Sequence, residues 1–244
     1  MLRFDILSKA RSQKKAAHME KTARLGILML DTRFPRIVGD VGNADSFAFP
    51  VNYRVVEGAT PDAIVRGDAE VWTERFIREG QELVRQGCTG LATTCGFLSL
   101  VRDKVADACG VPVASSALEQ IPAVTAMLPA HQSVGILTIS AKSLTQNHLA
   151  AAGVTTDVVV HGLDGGHFSE AILANQNHLD LARSEMELVS AARDMVDAAP
   201  HIGAILLECT NMPPYAAQIA HATGRPVFSI LTYLNWFHAG LRPS

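Results

Sequence analysis

The chain has 244 residues, 48% of them hydrophobic and 18% charged, with a formal net charge of -3. That supplies an ample core for one large or two small domains, and it leaves no general basic field for nucleic acid or a membrane surface. The four cysteines are too few for a disulfide framework and form no close Cys-x-x-Cys pair or Cys/His cluster suited to zinc, so a reduced, cytoplasmic setting is the plain reading.

Residues 1–23 carry Arg3, Lys9, Arg11, Lys14, Lys15 and Lys21 without a long apolar segment, which reads as a basic N-terminal extension rather than a secretory signal. No stretch is apolar for long enough to span a bilayer. Leu25 to Leu30 is a compact apolar run ending at Asp31-Thr32, the pattern of a buried parallel strand, and it places Asp31 at the sheet edge where open α/β folds bind ligands. Arg33 to Asn43 is rich in Gly, Pro and polar residues and reads as a loop long enough to shape a site. Arg36 within it suits a carboxylate-binding role and a surface excursion equally. Tyr53 to Val56 predicts a second strand. Asp68 to Gln86 has the spacing of an amphipathic helix, with Val71, Phe76, Ile77 and Val84 inward and Gly87 as its stop. Leu91 to Thr93 is the next strand, and Cys95-Gly96 is the turn into a helix running through Val101 and Val105 to Cys109. Val111 to Ala114 is a further strand, and Leu118 to Leu128 a helix with Pro122 in its first turn.

From Ser133 the pattern begins again. Val134 to Ile139 predicts a strand ending at Ser140, the positional counterpart of Asp31, and Lys142 to Ala152 a helix ended by Gly153. Val158 to Val160 is a strand, His161 to His167 a glycine-rich loop, and Leu179 to Ala198 a long helix. Ala204 to Leu207 leads to Cys209, Pro213-Pro214 suit the first turn of the next helix, Val227 to Ile230 is a last strand, and a helix around Trp236 closes the chain. Strands alternating with helices imply α/β architecture with parallel sheets and right-handed crossovers.

The two stretches are copies of one layout. Gly87 to Phe97 and His201 to Asn211 each run from apolar residues into small polar ones around a cysteine, and Gly-x-Pro-Val comes after both. Cys95 to Gly110 and Cys209 to Gly224 are each fifteen positions, and Leu25-Gly26-Ile27-Leu28 is echoed by Val134-Gly135-Ile136-Leu137. The domain reading is therefore 24–130 plus 215–244 for one half and 131–214 for the other. In each half the cysteine lies between a strand and a helix start, where unpaired N–H groups favour an anion and can bring a thiol from about 8.5 into roughly the 3.5–7.5 range. A thiolate facing a thiol across a cleft can take a proton from one face of a carbon and return one to the other, with no cofactor.

With Thr93-Thr94-Cys95-Gly96 in one half and Glu208-Cys209-Thr210-Asn211 in the other, the chain from Leu25 onward resembles the aspartate/glutamate/hydantoin racemase superfamily, which includes amino-acid racemases, hydantoin racemases, arylmalonate decarboxylases and maleate isomerases. The resemblance implies two flavodoxin-like, Rossmann-like halves related by a pseudo-two-fold repeat, with the site between them. It also implies no pyridoxal phosphate or metal, a small carboxylate-bearing substrate, and a homo-oligomer. It further implies that Thr94, Gly96, Thr210 and Asn211 hold the substrate carboxylate and that Asp31 lies near its amino or equivalent group. Asn211 stands where glutamate racemases commonly have His, which argues against L-glutamate. The expected activity is then that of a cofactor-independent racemase or epimerase, an isomerase, with Cys95 and Cys209 as opposed acid and base. A maleate-type cis–trans isomerase, an arylmalonate-type decarboxylase and a two-lobed metabolite-binding module stand as alternatives. Cys88 and Cys109 read as small core hydrophobes, Glu208 as either tuning Cys209 or solvated, and His161, His167 and His178 as structural, with His167 worth testing for its loop.

Overall fold

The computed structural model describes residues 23–242, so the basic extension expected at the N-terminus lies outside the described residues except for Ala23. Two four-stranded sheets organise the chain. The first contains β1 (Leu25–Leu30), β2 (Val51–Val56), β3 (Gly90–Thr93) and β4 (Val113–Ala114) in the order β2-β1-β3-β4. The second contains β5 (Ser133–Thr138), β6 (Val158–Gly162), β7 (Ile202–Leu207) and β8 (Val227–Phe228) in the order β6-β5-β7-β8. Every pairing is parallel. The doubly repeated α/β architecture expected from the sequence is thus present, each half having its own point of strand-order reversal between the first and third strands.

The first half carries α1 (Pro61–Val65), α2 (Thr73–Arg85), α3 (Arg102–Cys109) and α4 (Ile121–Met127). After β5 come α5 (Gln146–Ala151), α6 (His167–Leu173), α7 (Leu181–Ala198), α8 (Ala216–Thr223) and α9 (Ile230–Ala239). The echoed glycines have a packing cause. A Cβ on Gly26 would come within 2.8 Å of Leu91 and 3.0 Å of Leu83, and one on Gly135 within 2.9 Å of Met195. Glycine lets α2 and α7 lie close on their sheets. Gly110 and Gly224 close α3 and α8 with φ of 69° and 63°, the left-handed conformation that leaves glycine unstrained.

Two expectations need correction. The helix predicted from Asp68 begins only at Thr73, because Asp68 caps a short 3-10 turn over Ala69–Trp72 whose tighter winding carries Val71 outward to 72% exposure. The domain boundary placing 215–244 wholly with the first half also fails, since β8 pairs with β7 in the second sheet. Only the segment beyond β8 returns to the first half: His238 meets the Ala23 carbonyl at 2.9 Å and stacks on Phe49, and Leu241 and Phe237 cover Gly90.

The halves are joined by polar contacts that cross the cleft. The Thr210 hydroxyl donates to the Thr94 carbonyl at 2.7 Å, and Arg66 in the first half pairs with Glu170 in the second at 3.0 Å. The Asn175 side chain donates to the Asp31 carbonyl at 3.0 Å and accepts from the Arg33 amide at 2.7 Å, with its own φ at 51°. Among the described residues no helix is long and apolar enough to cross a membrane, and no group of three or more His, Cys, Asp or Glu side chains could hold a metal ion.

Candidate active site

Cys95 follows β3 and Cys209 follows β7, the same point in each sheet, at the carboxyl ends where the strand order reverses. Both are 7% exposed and both line one cavity between the halves. Each sulfur has a backbone N–H two residues on, from Phe97 and from Asn211, that favours its anion.

Those amides do not win. Burial pushes the Cys95 thiol up to about 12, with the neighbouring Glu208 charge adding to it, and the same two causes in the same order raise Cys209 well above the ordinary thiol value. The expectation of thiols lowered by helix starts is therefore corrected. Cys95 opens a 3-10 turn (Gly96–Val101) rather than an α-helix, and after Cys209 the chain makes a turn before a short 3-10 segment at Pro213–Tyr215. Short irregular turns offer little dipole, and loss of solvent around an anion outweighs one amide.

Glu208 is not solvated. It is 1% exposed, its carboxylate accepts from the Thr138 hydroxyl at 2.8 Å, and burial raises it to about 7. Its carboxylate and carbonyl occupy the space a Cβ on Gly96 would need, which explains glycine beside the first cysteine. Glu208 thereby lies against the residue following Cys95 and is the residue preceding Cys209.

Thr94, Gly96, Thr210 and Asn211 all line the cavity with the cysteines. All three side chains among them are engaged by the protein. Thr94 Oγ1 accepts from the Leu30 amide at 2.9 Å, and the Thr210 hydroxyl joins the halves. Asn211 accepts from the Cys209 thiol at 3.5 Å and donates to Asp40 at 2.6 Å, so its amide orients the sulfur. Asp31 does not line the cavity: its carboxylate accepts from the Gly58 amide at 3.0 Å and so holds the turn after β2. Thr32, one residue on, lines the wall instead. His167 starts α6 and is not part of the wall either.

The loop after β1 contributes what the sequence left open. Arg36 lines the cavity, donating to Asp40 at 2.9 Å and Thr32 at 3.0 Å and lying 4.5 Å over the Phe34 ring. Its Nε is buried and has no hydrogen-bond partner among the described residues. Asp40, 3% exposed, binds Arg36, the Gly42 amide and Asn211, tying the loop to the second cysteine. Pro61 and Val65 of α1 and Ile172 of α6 complete apolar walls that no sequence period announced.

Comparison with known proteins sorts fold from reaction. Over 228 residues the chain is 32% identical to "Dimethylsulfoniopropionate lyase 7" of Emiliania huxleyi (strain CCMP1516), covering 89% of this chain and 67% of that protein. It is 29% identical to the "Dimethylsulfoniopropionate lyase" of Durusdinium sp. clade D, covering 90% of this chain and 75% of that one. Among solved structures, an allantoin racemase from Klebsiella pneumoniae superimposes with a TM-score of 0.63 at 16% identity, covering 91% of each chain, a likeness of fold alone. The expected racemase or epimerase activity, and with it the isomerase class, is corrected by these curated relatives, which are lyases on a shared racemase fold. Residues 61–234 match the family described as Asp/Glu/Hydantoin racemase, and the chain belongs to that family.

Proposed function

We propose that this chain is a lyase that cleaves dimethylsulfoniopropionate. The observation carrying the reading is its 32% identity, over nearly nine tenths of the chain, to a protein of that name. Two buried cysteines on one cavity support it chemically. The substrate bears a carboxylate at one end and a sulfonium on the β-carbon. A base takes the proton from the carbon beside the carboxylate, that C–H electron pair becomes the new C=C bond, and the carbon–sulfur pair leaves with sulfur. The products are acrylate and neutral dimethyl sulfide, with the proton left on the base.

Because the sulfide departs uncharged, it needs no proton. One cysteine suffices as base, and the other is free to donate a hydrogen bond to the carboxylate as enolate charge builds there. The substrate also helps to make its own base. A unit positive charge about 4 Å from a sulfur is worth about 4 kcal/mol at an effective dielectric near 20, on the order of a thousandfold in thiol acidity. Apolar walls of Phe97, Ile139 and Ile172 limit the screening of that field.

The test is release of dimethyl sulfide into headspace by the purified chain, with Cys95→Ala and Cys209→Ala beside it. Loss of a base lowers kcat/KM by roughly 100- to 10,000-fold. A chain that releases no sulfide, or whose two alanine variants both keep the full rate, refutes the reading.

A further inference from the structure

The cavity wall contains two charged side chains, Arg36 and Glu208; the rest is apolar, hydroxyl, amide or thiol. They differ in how they are partnered. Arg36 is pinned by Asp40 and Thr32 on its two terminal nitrogens, which leaves Nε as its one nitrogen without a partner among the described residues. Among the described residues Glu208 has no cationic partner: what offsets its burial is the Thr138 hydroxyl and the Ile139 amide. A buried carboxylate without a counter-charge is costly to maintain, and a structure that keeps one at a cavity wall has a place for a cation.

We propose that Glu208 is the recognition group for the sulfonium end of the substrate, with Arg36 Nε taking the carboxylate end, so that the cavity selects ligands carrying both charges. This deepens the lyase reading and rests on it. Glu208 lies against Gly96 on one side and precedes Cys209 on the other, so a cation facing it is held beside both sulfurs. Its charge is also one of the causes keeping both thiols protonated. A sulfonium placed there cancels that field, and the empty site holds its thiols inactive until the right ligand arrives. Selection and activation then come from one carboxylate.

The experiment compares dimethylsulfoniopropionate with 3-(methylthio)propionate, which has the same carboxylate and carbon chain but no charge on sulfur. In the wild-type chain the thioether, with both ligands measured by calorimetric titration, binds at least 10-fold more weakly than the sulfonium, the order expected for a charge-assisted contact. Glu208→Gln weakens the sulfonium by about 10- to 100-fold, leaves the thioether unchanged, and so erases the preference. Arg36→Gln weakens both ligands by a similar factor and keeps the preference. A wild-type chain with no preference for the cation overturns the proposal without any variant having to fold, and so does a Glu208→Gln chain that keeps it. A wild-type chain that prefers the sulfonium yet releases no sulfide leaves charge matching standing and removes the lyase reading. Release without preference does the reverse.

Discussion

Replacing Glu208 by Gln tests how deeply that carboxyl is buried. The side chain is 1% exposed, and its ordinary value of 4.5 becomes about 7 in the folded chain. Each tenfold change in proton affinity is about 1.4 kcal/mol, so keeping Glu208 ionised in the native state costs on the order of 3 kcal/mol. A carboxyl raised by folding binds its proton more tightly in the native chain. Its stabilising contribution is complete below about pH 4.5, falls as pH rises toward 7, and is gone above. Gln keeps the shape and the bond from Thr138 and has no such dependence. Thermal unfolding of both proteins from pH 4.5 to 8 supplies the measurement. Other titrating groups, among them His148, whose value burial lowers, are common to both proteins and cancel in the difference. At roughly 2–4 °C per kcal/mol for a chain of this size, the gap in Tm should move by on the order of 6–12 °C in favour of Gln as pH rises. A gap that stays constant across that range refutes the burial argument.

Asp31→Asn should leave KM and kcat within about twofold, because Asn can still accept from the Gly58 amide and the side chain lies outside the cavity; a KM increase above tenfold would return Asp31 to the site. Asp40→Ala leaves Arg36 buried without its ion-pair partner and frees Asn211, so stability should fall by about 3–5 kcal/mol in denaturant titration, with KM rising as well. A loss below about 1 kcal/mol would show that the loop is held by other contacts.

The duplicated frame was readable because its cause is local and repeated. Gly26 and Gly135 mark close helix packing, Gly110 and Gly224 mark left-handed helix ends, and the cysteines fall at matching strand ends. The walls of the cavity were not readable for the opposite reason. α1 and α6 are five and seven residues long, too short to display a helical period, yet both face the site. The link from Arg36 through Asp40 to Asn211 joins residues 171 positions apart at its longest step and depends on how a loop folds. Thiol acidity was misjudged because a dipole can be inferred from chain direction, whereas Glu208 burial cannot. The reaction class escaped too, since the same paired thiols can remove a proton beside a carboxylate whether or not the next carbon bears a leaving group.

The route of the chain imposes an order on its synthesis. The first sheet is complete once residue 114 has been made, but the surface around Gly90, Phe49 and Ala23 is sealed only by Phe237, His238 and Leu241. During translation the early half must wait, partly uncovered, while the entire later half emerges and acquires its own fold. A chain truncated after residue 225 should therefore have a protease-sensitive first half and a second half that lacks its edge strand β8, and extending it through Leu241 should protect both together.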